Sequence, residues 1–81
     1  MKAQIYITLK NGIHDPQGQA VQQSLHTLGF DTVQDIRMGK FIEVDLQDME
    51  KESAEATIKN MCQKLLANTV IEDFRYEIIE T

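Results

Sequence analysis

From Asp15 to Lys40 the chain reads D-P-Q-G-Q-A-V-Q-Q-S-L-H-T-L-G-F-D-T-V-Q-D-I-R-M-G-K, and this stretch holds the only proline and three of the four glycines. Asp15-Pro16 is a helix start. The carboxylate can accept N–H groups of the first turn, and proline at the first helical position gives up a donor that has no intrahelical partner. Val21, Leu25 and Leu28 follow at i, i+4 and i+7 with Ala20 and Ser24 beside them, and Gly29 supplies a left-handed cap. A helix from about Pro16 to Leu28 with its apolar stripe toward a core is therefore expected. Gly18 in the first turn weakens such a helix by roughly 1 kcal/mol relative to alanine, so its place there points to the close approach of another backbone or of a partner.

Outside the helix of this stretch the period changes to two. Ala3, Ile5, Ile7 and Leu9 alternate with Gln4, Tyr6, Thr8 and Lys10, the pattern of a half-buried strand, and Asn11-Gly12 closes it with turn chemistry. Val33 to Met38 reads as a second strand, Gly39 as a hairpin turn, and Phe41 to Leu46 as a third strand with Ile42, Val44 and Leu46 on one face. A second helix, capped by Ser53, carries Ile58, Met61, Cys62 and Leu65 on its stripe with Ala54 and Leu66 at the margins, and Asn68 is read as its left-handed stop. The last strand runs from about Phe74 to Ile79. Strand, helix, strand, strand, helix, strand is the order of a ferredoxin-like α+β fold: a four-stranded antiparallel sheet with both helices on one face. Its open face would present Tyr6, Phe41 and Ile79 among Thr8, Glu43, Arg75 and Glu77, a surface suited to self-association.

The 81 residues are read as one domain, residues 1–81. A chain this short buries only about 60% of its unfolded surface, so a shared face in a homodimer or tetramer is the expected supplement to a thin core. A net charge of −5 argues against nucleic acid and anionic membrane as partners. The alternating N-terminal stretch has no long apolar run, so neither a signal peptide nor a spanning helix is expected, and the cytoplasm is the expected location. Cys62 is the only cysteine and sits on a buried stripe with no base beside it, which is the setting of an inert core thiol. His14-Asp15 lacks further ligands at metal-binding spacing, so no metal and no catalytic residue are expected. Glu50, Glu52 and Glu55 with Lys51 and Lys59 read as a solvated helix entry. The strands carrying Tyr6 and Phe41 faintly echo RNA-recognition motifs, but Glu43 and Asp45 would repel phosphate. A small-molecule-sensing regulatory domain is the alternative reading, with Asn11-Gly12 as its loop. Arg37 and Lys40 make a cationic tip beside Gly39 that could meet an acidic or phosphate-bearing partner.

Thr8-Leu9-Lys10, Asp15-Pro16-Gln17-Gly18, Ala20-Val21, Leu25, Leu28-Gly29-Phe30, Val33, Ile36-Arg37 and Gly39-Lys40, at these spacings and across nearly the whole chain, resemble the PurS family. These are the small subunits of bacterial and archaeal phosphoribosylformylglycinamidine (FGAM) synthase. The resemblance implies a non-catalytic assembly subunit in de novo purine biosynthesis. It would join a glutaminase subunit and a large ATP-dependent synthetase subunit so that ammonia passes between them. It implies a dimer that binds no cofactor itself, within a ligase complex that uses ATP, magnesium and glutamine. Carried onto this chain, the motif positions are Asp15, Pro16, Gln17, Gly18, Arg37, Gly39 and Lys40, the expected partner-facing set.

Overall fold

A computed structural model describes residues 1–80; Thr81 lies outside the described residues. Strand β1 spans Lys2–Leu9, helix α1 Pro16–Thr27, strand β2 Gly39–Asp45, helix α2 Lys51–Met61 and strand β3 Glu72–Ile79, with a π-helical turn, Cys62–Leu66, extending α2. The strands form one antiparallel sheet in the order β2-β1-β3. The fold is therefore α+β, and the sheet has three strands rather than the expected four.

The alternation in β1 does what its period requires. Ala3, Ile5 and Ile7 are fully buried or nearly so, and Ile42, Val44, Phe74, Tyr76 and Ile78 share their face. Ile58 and Cys62 of the second helix, with Ala67 beyond it, close the core over β1, and Ala54 is buried one turn earlier. At about 25 cal/mol per Å² of apolar surface buried, a side chain such as Ile58 contributes roughly 2–3 kcal/mol. Tyr6 stands opposite Phe41 on one side and Arg75 on the other, so the other sheet face carries the expected residues and the register is settled.

Several expectations fail for identifiable reasons. Val33–Met38 forms no strand, and α1 side chains and neighbouring carboxylates occupy several of its backbone groups. Gly39 accordingly begins β2 instead of turning a hairpin. The two helices do not share one face: α1 contributes no side chain to the core, and Val21 and Leu28 are exposed, Leu28 at 73%. The chain is accordingly elongated, with extents of 49 × 28 × 14 Å. In the second helix, Glu50 rather than Ser53 is the N-cap. The π turn closes with Ala67 N–H donating to Cys62 O at 2.9 Å, and its extra residue per turn swings Leu65 off the core stripe to 83% exposure. Asn68 does not enter the left-handed region; its side chain instead accepts from Val70 N–H at 3.2 Å. Among the described residues no helix is long and apolar enough to cross a membrane.

Candidate functional site

Asp15 caps α1 as its sequence predicts, but the carboxylate has two tasks. Oδ1 accepts from Gly18 N–H at 2.9 Å and Oδ2 from Met38 N–H at 2.8 Å. One side chain thus ties the helix start to the residue before β2. The Gly18 N–H first, and the Met38 N–H second, hold the Asp15 carboxyl below its ordinary value by stabilising the charged form. Gly18 is the one buried residue of α1. A Cβ there would stand 2.3 Å from Ile36 O, so the close backbone approach expected of this glycine is made by the chain's own 33–38 segment.

That segment is a strap laid along α1. Gln22 Nε2 donates to Gln34 O at 3.0 Å, and His26 Nε2 donates to Val33 O at 2.7 Å. Gly18, Gln22 and His26 are spaced four apart, so they form one row along the helix. Sequence reading missed the latter two as structural residues; a polar i, i+4 pair in register with an unexplained glycine was the available signal. Asp35 Oδ1 accepts from Ile36 N–H at 2.9 Å, which satisfies another strap donor locally.

Arg37 folds back onto the β1–α1 loop, donating to Leu9 O, to Lys10 O at 3.2 Å and to Asn11 Oδ1 at 3.2 Å. Lys40 lies 3.7 Å from Glu72. The expected free cationic tip is therefore engaged: Arg37 is spent on carbonyls, and Lys40 faces a carboxylate. Gly39 also has a structural need, since a Cβ would lie 2.6 Å from Ile7 O across the ladder. Asp15, Gly18, Arg37, Gly39 and Lys40 thus converge on one junction of loop, helix, strap and sheet. Pro16 and Gln17 sit exposed at its rim.

On the open sheet face Tyr6 and Phe41 pack with ring centroids 5.1 Å apart, and the Arg75 guanidinium lies 3.9 Å over the Tyr6 ring. These three border a depression of about 410 Å³. Ile79 pairs with Lys2, four residues along β1 from Tyr6, or about 13 Å at strand rise, so it is not part of that cluster. Cys62 is buried, and burial pushes its thiol up, disfavouring the thiolate. Among the described residues no three His, Cys, Asp or Glu side chains gather as a metal site.

The tied helix start, the strap and the stacked open sheet face define the class as a small α+β domain built on a three-stranded antiparallel sheet. The family model described as PurS, phosphoribosylformylglycinamidine (FGAM) synthase, matches residues 2–80, and the chain belongs to this family. The phosphoribosylformylglycinamidine synthase subunit PurS of Bacillus subtilis (strain 168) is 47% identical over 79 residues, covering 98% of this chain and 93% of that protein. The solved structure of B. subtilis PurS superposes with a TM-score of 0.87 over 98% of both chains. That likeness takes in the α1 arm as well as the sheet. A structure of PurLQS from Thermotoga maritima contains a chain 28% identical to this one, with a TM-score of 0.86 over 94% of this chain and 93% of that one.

Proposed function

We propose that this chain is a non-catalytic assembly subunit of an FGAM synthase, a ligase of purine biosynthesis. In this reading it brings a glutaminase subunit and a large synthetase subunit together for ammonia transfer. The observation that carries the reading is the family match over residues 2–80 together with the likeness to a chain of the PurLQS structure. The complex, not this subunit, uses ATP, magnesium and glutamine, and it works in the cytoplasm. The chain acts as a homodimer or tetramer, with the open sheet face around Tyr6 and Phe41, extending toward Ile79, as a self-association surface.

The partner-facing set is Asp15, Pro16, Gln17, Gly18, Arg37, Gly39 and Lys40. Its geometry supports a division of labour. Asp15, Gly18, Arg37 and Gly39 set the shape of the junction through their contacts within the chain, and Pro16, Gln17 and the 63% exposed side chain of Lys40 offer the surface. Reconstitution with the other two subunits tests the reading. Glutamine-dependent synthase activity should fall sharply when this chain is omitted, and ammonia-dependent activity of the large subunit should suffer less. Equal glutamine-dependent activity with and without the chain would refute it.

A further inference from the structure

Helix α1 and the 33–38 strap form one body. Asp15, Gln22 and His26 tie the helix to strap backbone groups, and Gly18 lies against Ile36 O. That body is an arm: α1 gives no side chain to the core, and its one buried residue faces the strap rather than the sheet. The chain leaves the sheet at Leu9 and returns at Gly39, so the arm hangs from two crossings. The outgoing crossing turns at Gly12, whose φ is +86° and whose missing Cβ would face open space. Among the described residues, the hydrogen bonds of Arg37 are the only side-chain ones that run from the arm to β1 and the loop after it: to Leu9 O, Lys10 O and Asn11 Oδ1. The far side of this tie is anchored. The β1–β2 ladder ends at Thr8 and Gly39, one residue short of Leu9, and Lys10 N–H donates to Ile71 O at 2.8 Å, which fixes the root of the loop to the sheet.

We propose that Arg37 is the latch of this joint: it holds the arm at the angle to the sheet that assembly needs, and acts on assembly through that angle rather than by touching a partner subunit. The proposal deepens the assembly reading and rests on it. Arg37 is exposed, yet both of its Nη groups are engaged inside the chain. A guanidinium suits the task, because its planar fork loses little freedom per bond formed and stays charged. The leverage is large. Helix α1 is about 18 Å long, so a tilt of about 20° at its base moves Thr27 by about 6 Å, enough to take any surface on the arm out of register with a partner. Holding a movable part in its bound conformation strengthens binding by removing the ordering cost. The likeness to a chain of the PurLQS structure spans the arm as well, so a relative within an assembly keeps this angle.

Arg37→Ala, and Asn11→Ala, which removes one acceptor, test the proposal alone and combined. Spin labels on Gln23→Cys and Ala56→Cys, both exposed positions, report the angle of α1 to the body of the domain, in samples diluted with unlabelled chain so that only distances within one chain are read. The distance distribution should be single and narrow with Arg37 present and broad in Arg37→Ala. In reconstitution with the two other subunits, the concentration of chain giving half-maximal glutamine-dependent activity should rise about tenfold in Arg37→Ala, because apparent affinity falls with the competent fraction. The loss should lie in that concentration rather than in the plateau reached at excess chain. Asn11→Ala should move both readings the same way by less, and adding it to Arg37→Ala should change neither further. Unchanged distances in Arg37→Ala overturn the proposal, and with a loss of affinity they assign Arg37 to a direct partner contact instead. An unchanged half-maximal concentration, a lowered plateau, or losses that add in the double variant overturn it too. If Arg37→Ala loses helix content by circular dichroism, Asn11→Ala carries the same two readings. Glutamine-dependent activity that ignores the chain altogether would defeat the assembly reading, while the spin-label distances would still decide whether Arg37 sets the angle.

Discussion

Gly18→Ala separates two opposite expectations. In an unobstructed helix the substitution stabilises by about 1 kcal/mol through helix propensity. At this position the new Cβ would sit 2.3 Å from Ile36 O and 2.8 Å from Asp15 Oδ2, against ordinary contacts of about 3.5 Å. Neither neighbour yields freely. Ile36 O belongs to the strap backbone, and the Asp15 carboxylate is held between two N–H donors. Relieving the overlap by about 1 Å resembles overpacking, at about 1–3 kcal/mol, and weakens the Asp15 bridge as well. After the propensity gain of about 1 kcal/mol is subtracted, a net loss of about 1 kcal/mol remains from the overlap by itself. For a domain of this size that lowers Tm by roughly 5 °C. Thermal and urea denaturation followed by circular dichroism measure it, and hydrogen exchange should place the loss in α1 and the strap. A Tm that rises or stays constant would refute the account of why glycine stands here.

The Asp15 bridge gives a pH dependence. Because its folded-state pKa lies below the ordinary 3.8, its contribution is present above the unfolded value and is lost as pH falls through the folded one. The denaturation midpoint of the unsubstituted chain should therefore drop more steeply through that acid range than that of Asp15→Asn; parallel curves would count against the bridge. Ile58→Val, at a fully buried core position, should cost about 1 kcal/mol in urea denaturation with an unchanged m-value, and a neutral result would contradict the packing described. Cys62, buried and with its thiol pushed up, should react with a thiol-selective disulfide reagent only as fast as the protein opens. Rapid labelling in the native state would contradict its placement.

The readings that held depend on neighbours in sequence. The Asp15-Pro16 start, the stop at Gly29 with φ of +97°, and the two faces of β1 all follow from local sterics and from the period of the side chains. Gly18 was legible as a close approach, although not as an approach by the chain's own strap. The candidate site was legible as a set of positions and not as an arrangement. Arg37 and Lys40 read as free cations because their acceptors, Leu9 O, Lys10 O, Asn11 Oδ1 and Glu72, lie 26 or more residues away.

By itself, the sequence determined which residues of each strand face together, where α1 begins and ends, and the family to which the chain belongs. Only the tertiary structure decided what α1 and Val33–Met38 pack against. Val33, Ile36 and Met38 are compatible with an edge strand, but hydrogen bonds from Gln22 and His26, and to Asp15, join this segment to the helix. A backbone carbonyl or N–H so engaged is less available to a sheet ladder. That competition leaves a three-stranded sheet under one helix and the other helix standing clear of it, and the periodicity of either segment alone carries no record of which partner wins.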